Sequence, residues 1–123
     1  MLRELKRFIL GSAFNQQLEI KFVRRLQDGL LGLKSPTANE LQTAVAYVTS
    51  DGLDAVNALG VRVARATVGV AHQITEPDAL MRLQSSGSQI RIADVDGEFH
   101  PKVYLIRYDD SIGAIVGSSN LTR

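Results

Sequence analysis

Cysteine and tryptophan are both absent from the 123 residues of the sequence. The absence of cysteine excludes a disulfide scaffold, a cysteine nucleophile and a thiolate metal site. It also fits a reducing compartment, so we expect a cytoplasmic protein. No apolar run approaches the roughly 18 residues that span a membrane. The sequence has no glycine-rich phosphate loop, which argues against nucleotide binding within this chain.

Charge is divided unevenly along the chain. Residues 1–34 carry seven Lys and Arg against three Asp and Glu, whereas residues 35–123 carry seven against ten. The basic segment has two interpretations, a solvated helix face or a surface that contacts phosphate backbones. The acidic balance of residues 35–123 is awkward for a DNA-binding protein, unless the basic segment or another domain supplies the contacts.

Hydrophobic spacing in the basic segment predicts helix. Apolar and charged residues mix at helical spacing over residues 1–10, and a second stripe over residues 14–31 is typical of an amphipathic helix. Its apolar residues lie four apart: Phe14, Leu18, Phe22, Leu26 and Leu30. We therefore expect residues 1–34 to form a basic helical segment that packs on a domain formed by residues 35–123.

The rest of the chain alternates between strand and helix patterns. Asp51 predicts the cap of a helix that Gly60 closes, and Thr75 predicts the cap of a second helix that stops near Gly87. Short apolar or alternating segments predict strands over residues 41–49, 61–70, 89–94, 100–108 and 112–118. This order indicates an α/β domain with a mixed β-sheet flanked by helices.

Chemistry-bearing residues concentrate near the end of the chain. His100 and Lys102 are two apart, so within a strand their side chains point to the same face, about 7 Å apart. Ser118 and Asn120 repeat this spacing on the return strand. A hairpin with its turn at residues 109–111 folds the second pair beside the first. We expect the four side chains to form one patch.

This set of side chains suits a phosphoryl group. Lys102 and Asn120 can hold non-bridging oxygens, and His100 can attack phosphorus or move a proton. The alternative is an ordinary surface histidine beside a solvated lysine, with Gly117 and Ser118 serving as turn residues. Asp94, Asp96 and Glu98 precede His100 closely; they favour a solvated loop over a hard-cation site.

The motif resembles that of the phospholipase D superfamily, which reads H-x-K-x4-D-x6-G-S-x-N. The chain has His100-Pro101-Lys102, then Asp110, then Gly117-Ser118-Ser119-Asn120. Seven residues separate Lys102 from Asp110 where the family has four, so Asp110 is given no role. Together with AVAYVTSDGLDAV and ITEPDALMRL, the motif is most similar to the phospholipase D-like nuclease domains of restriction endonucleases and helicase-fused proteins. The resemblance covers residues 14–123.

The resemblance implies a phospholipase D-like half-domain and a metal-independent phosphodiesterase without a cofactor. By that analogy His100 is the nucleophile that forms a phosphohistidine, and Lys102 and Asn120 bind the phosphate oxygens. Ser118 supports the phosphate site through its hydroxyl. The expected substrate is DNA, and the expected context is a restriction or helicase-linked system.

Two departures from the family pattern shape the remaining expectations. The chain has one H-x-K, while the family's reaction needs two half-sites, so we expect a homodimer that shares one active site. The acidic residue that orients the histidine in the family follows G-S-x-N, but the sequence ends three residues after Asn120. We therefore expect residues 35–123 to be a domain truncated at its C-terminus.

Two other functions stay open at this stage. One is a lipid phosphodiesterase or phosphatidyltransferase of the same superfamily, although aromatic residues make up only 6% of the chain and enzymes that work at lipid surfaces often expose them. The other is a catalytically incomplete module that binds nucleic acid or mediates dimerisation.

Overall fold

A computed structural model describes residues 3–10, 16–23, 25–118 and 120–122. Within these ranges the chain has an α/β fold in which seven strands form one mixed sheet and three helices pack on it. None of the helices described is long and apolar enough to cross a membrane. The elements are β1 Arg3–Leu10, β2 Gln16–Val23, α1 Leu26–Gly32, β3 Glu40–Val45, α2 Ser50–Asn57, β4 Arg62–Val68, α3 Pro77–Ser85, β5 Gln89–Ile92, β6 Lys102–Arg107 and β7 Ser111–Val116.

The helical prediction for the basic N-terminal segment is wrong over β1 and β2, which form an antiparallel hairpin. β1 also pairs with β7, so both strands extend the sheet. The physical reason lies in the sequence of β2, QQLEIKFV, whose apolar residues alternate with polar ones. In a strand, residues i, i+2 and i+4 lie on the same face, and residues i and i+4 also share one face of a helix. An alternating strand therefore imitates part of the apolar stripe of a helix. Helix is confirmed over α1. Residues 1–2, 11–15 and 24 of the segment, with Phe14 among them, lie outside the described residues.

The sheet has the order β2-β1-β7-β6-β3-β4-β5. β3, β4 and β5 are parallel, β6 is antiparallel to β3, and β7 is antiparallel to β6. The carboxyl ends of β3, β4, β5 and β7 therefore lie at the same edge as the amino end of β6. This edge, which we call the site edge, is where the loops that carry His100 and Asn120 meet.

The three helices bury their apolar stripes against one face of the sheet. Strand alternation sends every second side chain of β3 and β6 toward this core, as in Leu41, Val45, Tyr104 and Ile106. The helical residues that complete the core are Leu26 and Leu30 of α1, Leu53 and Val56 of α2, and Ala79 and Leu83 of α3. A single core therefore fixes the helix layer on the sheet.

The caps of α2 and α3 differ from the predicted ones. Thr49, not Asp51, precedes α2, and its Oγ1 accepts a hydrogen bond from the Gly52 amide at 3.3 Å. Thr75 is not a cap, since α3 is preceded by Glu76 without a side-chain cap bond. The Glu76 carboxylate instead accepts from the amide of Ser50 at 2.9 Å, where a negative charge suits the start of α2.

Thr75 joins two loops at the site edge. Its buried hydroxyl donates to the Gly69 carbonyl at 2.7 Å and accepts from the Val48 amide at 3.2 Å. The loop after β3 and the loop after β4 are thereby tied to each other. Gly60 and Gly87 follow the two helices as predicted, with φ angles of 71° and 84° that favour glycine, although α2 ends earlier than expected, at Asn57.

Candidate active site

His100 lies at the site edge in the loop between β5 and β6. Its side chain is 52% exposed, and its Nδ1 is 3.5 Å from Oε1 of Glu98. The imidazole also meets the ring of Tyr47 edge-on, with 6.4 Å between centroids. Among the described residues no group bonds Nε2. The histidine is thus held from one side and presents its second nitrogen to solvent.

Lys102 is the first residue of β6, and strand alternation places it on the core side with Tyr104. Only 7% of the residue is exposed. Its Nζ donates to the carbonyl oxygen of His100 at 3.0 Å. Burial lowers the pKa of the Lys102 ammonium, and the negative charge of Glu98 acts in the opposite direction.

The expected side-by-side projection of His100 and Lys102 is wrong. Alternation applies within a strand, and β6 begins only at Lys102, so His100 precedes it in a loop. The imidazole is exposed while the ammonium lies beneath the same loop, against the His100 backbone. The two residues are nevertheless in contact, because the Lys102 side chain donates to the His100 main-chain carbonyl.

Asn120 follows β7 and is half-buried. Its Oδ1 accepts a hydrogen bond from the Tyr47 amide at 3.2 Å. Its neighbour Leu121 donates to the Tyr47 carbonyl at 3.2 Å and forms a β-bridge with Val48. Within the described part of the chain, the Nδ2 group of Asn120 has no acceptor. The segment is therefore fixed by backbone bonds, and an amide donor is left for a ligand.

Tyr47 connects the two sides of the site, and sequence reasoning missed it. Its ring contacts His100, while its main chain holds Asn120 and Leu121. The available signal was its position, near the carboxyl end of the strand predicted over residues 41–49. Ligand sites of open α/β sheets commonly lie beyond the carboxyl ends of strands.

Ser118 is exposed in the bend after β7. The predicted strand over residues 112–118 is two residues too long at this end, because β7 stops at Val116. Gly117 still donates to the Lys102 carbonyl at 3.2 Å, so the bend starts beside the site. Ser118 and Asn120 therefore reach the site edge from a bend and a loop; Ser119 lies outside the described residues.

The hairpin turn lies at the other edge of the sheet. Asp109 and Asp110 are exposed in the turn between β6 and β7, as predicted. The carboxylate of Asp109 accepts from the Asn39 side chain at 3.1 Å. β6 has six residues, and a rise of about 3.4 Å per residue places its two ends roughly 17 Å apart. Asp110 thus lies outside the candidate site.

The acidic residues before His100 behave differently from one another. Asp94 and Asp96 are exposed in the loop, whereas Glu98 contacts His100. Across the described ranges, no group of three or more His, Asp or Glu side chains comes together to hold a metal ion. Glu98 therefore acts on the imidazole and the nearby ammonium rather than as part of a ligand cluster.

No protein-family model matches the sequence, and a search of curated proteins finds no match. Among solved structures, the chain is similar to the polyphosphate kinase of Porphyromonas gingivalis, with 17% sequence identity and a TM-score of 0.44. The similarity covers 73% of this chain and 20% of that kinase, so the chain spans about a fifth of the kinase's length.

Proposed function

We propose that the chain is a metal-independent phosphodiesterase of the phospholipase D type that cleaves DNA. The observation that carries the proposal is the meeting of three groups at the site edge. His100 offers a free ring nitrogen, Asn120 offers an amide donor fixed through Tyr47, and Lys102 supplies a cation under the His100 loop. An imidazole, an amide and an ammonium around one open edge suit a phosphodiester.

The chemistry follows from which imidazole nitrogen is free. Nε2 of His100 attacks phosphorus, a phosphorus–nitrogen bond forms, and the bond from phosphorus to the leaving oxygen breaks. A second histidine, acting as an acid, gives that oxygen a proton. The same histidine, now unprotonated, takes a proton from water while the water oxygen attacks phosphorus; the phosphorus–nitrogen bond breaks, and both histidines are regenerated. Glu98 supports the first step, because a carboxylate beside Nδ1 favours the tautomer that leaves Nε2 unprotonated.

Lys102 and Asn120 act on the phosphate oxygens in this mechanism, and Ser118 adds a hydroxyl at the rim. Burial makes the ammonium of Lys102 costly to keep charged, as its lowered pKa indicates. An incoming phosphate places negative charge beside it and favours the charged form. The cation is therefore matched to a bound anion and not to solvent.

We propose a homodimer as the source of the second histidine. Apolar side chains are exposed on the loops of the site edge, with Val70 and Ile74 after β4 and Val95 after β5 being 44–51% exposed. A two-fold contact across these loops covers them and brings a second His100 to the same phosphate. Sedimentation at high protein concentration tests this, and a strict monomer that still cleaves DNA contradicts the shared site.

Plasmid nicking in the presence of EDTA tests the proposed reaction. The wild type is expected to nick, and His100→Ala to lose the activity. His72→Ala is the matched control, since His72 is exposed in the short 3₁₀ turn Ala71–Gln73 and has no assigned role. A Lys102→Ala variant is expected to bind vanadate more weakly. Acid-labile, base-stable label transferred from a phosphodiester substrate to the wild type identifies the phosphohistidine.

Three outcomes contradict the nuclease proposal. Equal nicking by the wild type and His100→Ala means that another site or a contaminant acts. No nicking by either, with DNA binding intact, favours the non-catalytic module. Hydrolysis of a phospholipid and not of DNA favours a lipid phosphodiesterase. In that case exposed apolar side chains near the site edge, such as Val70 and Val95, would contact the lipid surface.

A further inference from the structure

The sheet face opposite the helix layer carries a second set of charged side chains. The strand registers arrange this face in three rows across β5, β4, β3 and β6. The described helices all pack on the other face. We call this surface the arginine face; its residues are Glu40, Gln42, Ala44, Arg62, Arg65, Thr67, Gln89, Arg91, Val103, Leu105 and Arg107.

Positive charge on the arginine face exceeds negative charge by four to one. Glu40 lies between Arg62 and Arg107, at 3.9 Å from the first and 3.5 Å from the second. Arg65 and Arg91 have no acidic partner among the described residues. All four arginines are exposed. The surface therefore holds at least two uncompensated guanidinium groups in addition to a shared carboxylate.

The shape and chemistry of the face fit phosphates. An open cleft of about 370 Å³ runs past Arg65 and Arg91, and a second of about 530 Å³ lies among Arg62, Arg65 and Arg107. Side chains of Gln42 and Gln89 add amide donors between them. One guanidinium group can donate two parallel hydrogen bonds to two oxygens of the same phosphate, whereas a lysine ammonium group cannot bind in this bidentate way.

The composition of the face also says how a nucleic acid is bound. Its described residues include no aromatic side chain, so there is no platform on which unpaired bases stack. Contacts to phosphates position a duplex without reading its sequence. From Arg62 to the row of Thr67 and Arg91 the surface extends roughly 15 Å along the strands, toward the site edge.

We propose that the arginine face binds the phosphate backbone of duplex DNA and leads it to the site edge. This rests on the proposed function for the choice of DNA. The net negative charge of residues 35–123 does not argue against this surface, because nine of the ten acidic residues in that range lie off the arginine face, on the helix layer or in loops. Asp51, Asp54 and Asp78 lie on the helix layer, while four of the seven basic residues of that segment lie on the arginine face.

Fluorescence anisotropy with a labelled 20-base-pair duplex in EDTA, repeated over a range of salt concentrations, tests the surface. Arg65→Ala/Arg91→Ala is expected to bind at least roughly tenfold more weakly, and to reduce the slope of log K against log salt by ~1.8, since two phosphate contacts are lost. Arg65→Lys/Arg91→Lys keeps the charge and is expected to retain most of the slope. Unchanged urea midpoints confirm that the variants fold.

Arg25→Ala/Lys34→Ala is the matched control, because both residues are exposed beside α1 and carry the same total charge. It is expected to bind DNA as the wild type does. An equal loss in this control overturns the proposal in favour of the basic N-terminal segment. Wild-type affinity and slope in Arg65→Ala/Arg91→Ala also overturn it, as does a dimer that dissociates in that variant, because the face is then an interface between copies.

The two proposals fail in different ways. If DNA binding depends on Arg65 and Arg91 but no cleavage occurs, the proposed hydrolysis is contradicted and the proposed DNA-binding surface is supported. If cleavage requires His100 but does not depend on these arginines, the proposed DNA-binding surface is contradicted and the proposed hydrolysis is supported.

Discussion

Gly52 connects the fold to the candidate site, and replacing it with alanine gives the sharpest stability prediction. A Cβ atom at this position would lie 2.0 Å from the carbonyl oxygen of Leu121 and 2.8 Å from the amide nitrogen of Thr122. Ordinary contacts start near 3.4 Å. The start of α2 and residues 121–122 must therefore separate by more than 1 Å.

The obstructing atoms belong to the backbone, so no side-chain rotation relieves the clash. Three hydrogen bonds hold the same segment: Thr49 N to Leu121 O at 2.9 Å, Leu121 N to Tyr47 O at 3.2 Å, and Thr49 Oγ1 to Thr122 O at 3.0 Å. Overpacking at such a site costs about 3 kcal/mol. Because Asn120 precedes Leu121, we also expect weaker vanadate binding under conditions where Gly52→Ala remains folded.

Urea unfolding of Gly52→Ala and Gly60→Ala measures the effect with the same chemical change at two positions. A Cβ at Gly60 meets nothing within 4 Å, but its φ of 71° strains an alanine by about 1 kcal/mol. We expect Gly52→Ala to be the less stable variant by about 2 kcal/mol, on the difference between these two costs. Wild-type stability in Gly52→Ala, or a larger loss in Gly60→Ala, refutes the close approach between α2 and residues 121–122.

Two further substitutions test buried polar groups. Lys102→Met is expected to be at least as stable as the wild type at neutral pH, because the buried ammonium carries a desolvation cost. Since the pKa of Lys102 is lower in the folded state, the free energy of unfolding of the wild type rises as the pH rises from that lowered pKa toward 10.5. Urea unfolding of Lys102→Met at the same pH values should lack this rise. Thr75→Val is expected to lose about 1–3 kcal/mol in urea unfolding, because the Gly69 carbonyl and the Val48 amide lose their buried partner, whereas Thr75→Ser should restore most of it.

The strand and helix order from β3 onward was predictable because each segment has one dominant period. The N-terminal prediction failed because Leu18 and Phe22, four residues apart, fit both a helix face and a strand face, and only pairing with a neighbouring strand selects between them. The predictions of the helix N-caps failed for a related reason. Thr49, Asp51, Thr75 and Glu76 can all cap a helix, and tertiary contacts decide which of them does.

The candidate site was predictable in its residues but not in its geometry. The motif identifies His100, Lys102 and Asn120, yet it carries no information on where β6 begins or where β7 ends. Those boundaries decide that the imidazole is exposed and the ammonium buried. Tyr47 was missed because its link to His100 and Asn120 spans more than fifty residues of sequence and depends on the order of the strands.

Lys102 is the residue at which the fold and the proposed chemistry conflict most directly. It lies on the same buried face of β6 as Tyr104 and Ile106, where an apolar side chain would pack without a desolvation cost. Among the described residues its Nζ has one hydrogen bond, to the His100 carbonyl, and burial lowers the pKa of the ammonium, so the charged form is disfavoured at this position. A buried cation that weakens the fold is explained when an anion binds beside it, and departures from local packing rules are expected at functional sites. Lys102→Met should therefore separate the two effects, with stability maintained and affinity for phosphate or vanadate lost. A variant that loses stability and keeps its affinity assigns Lys102 to the scaffold instead.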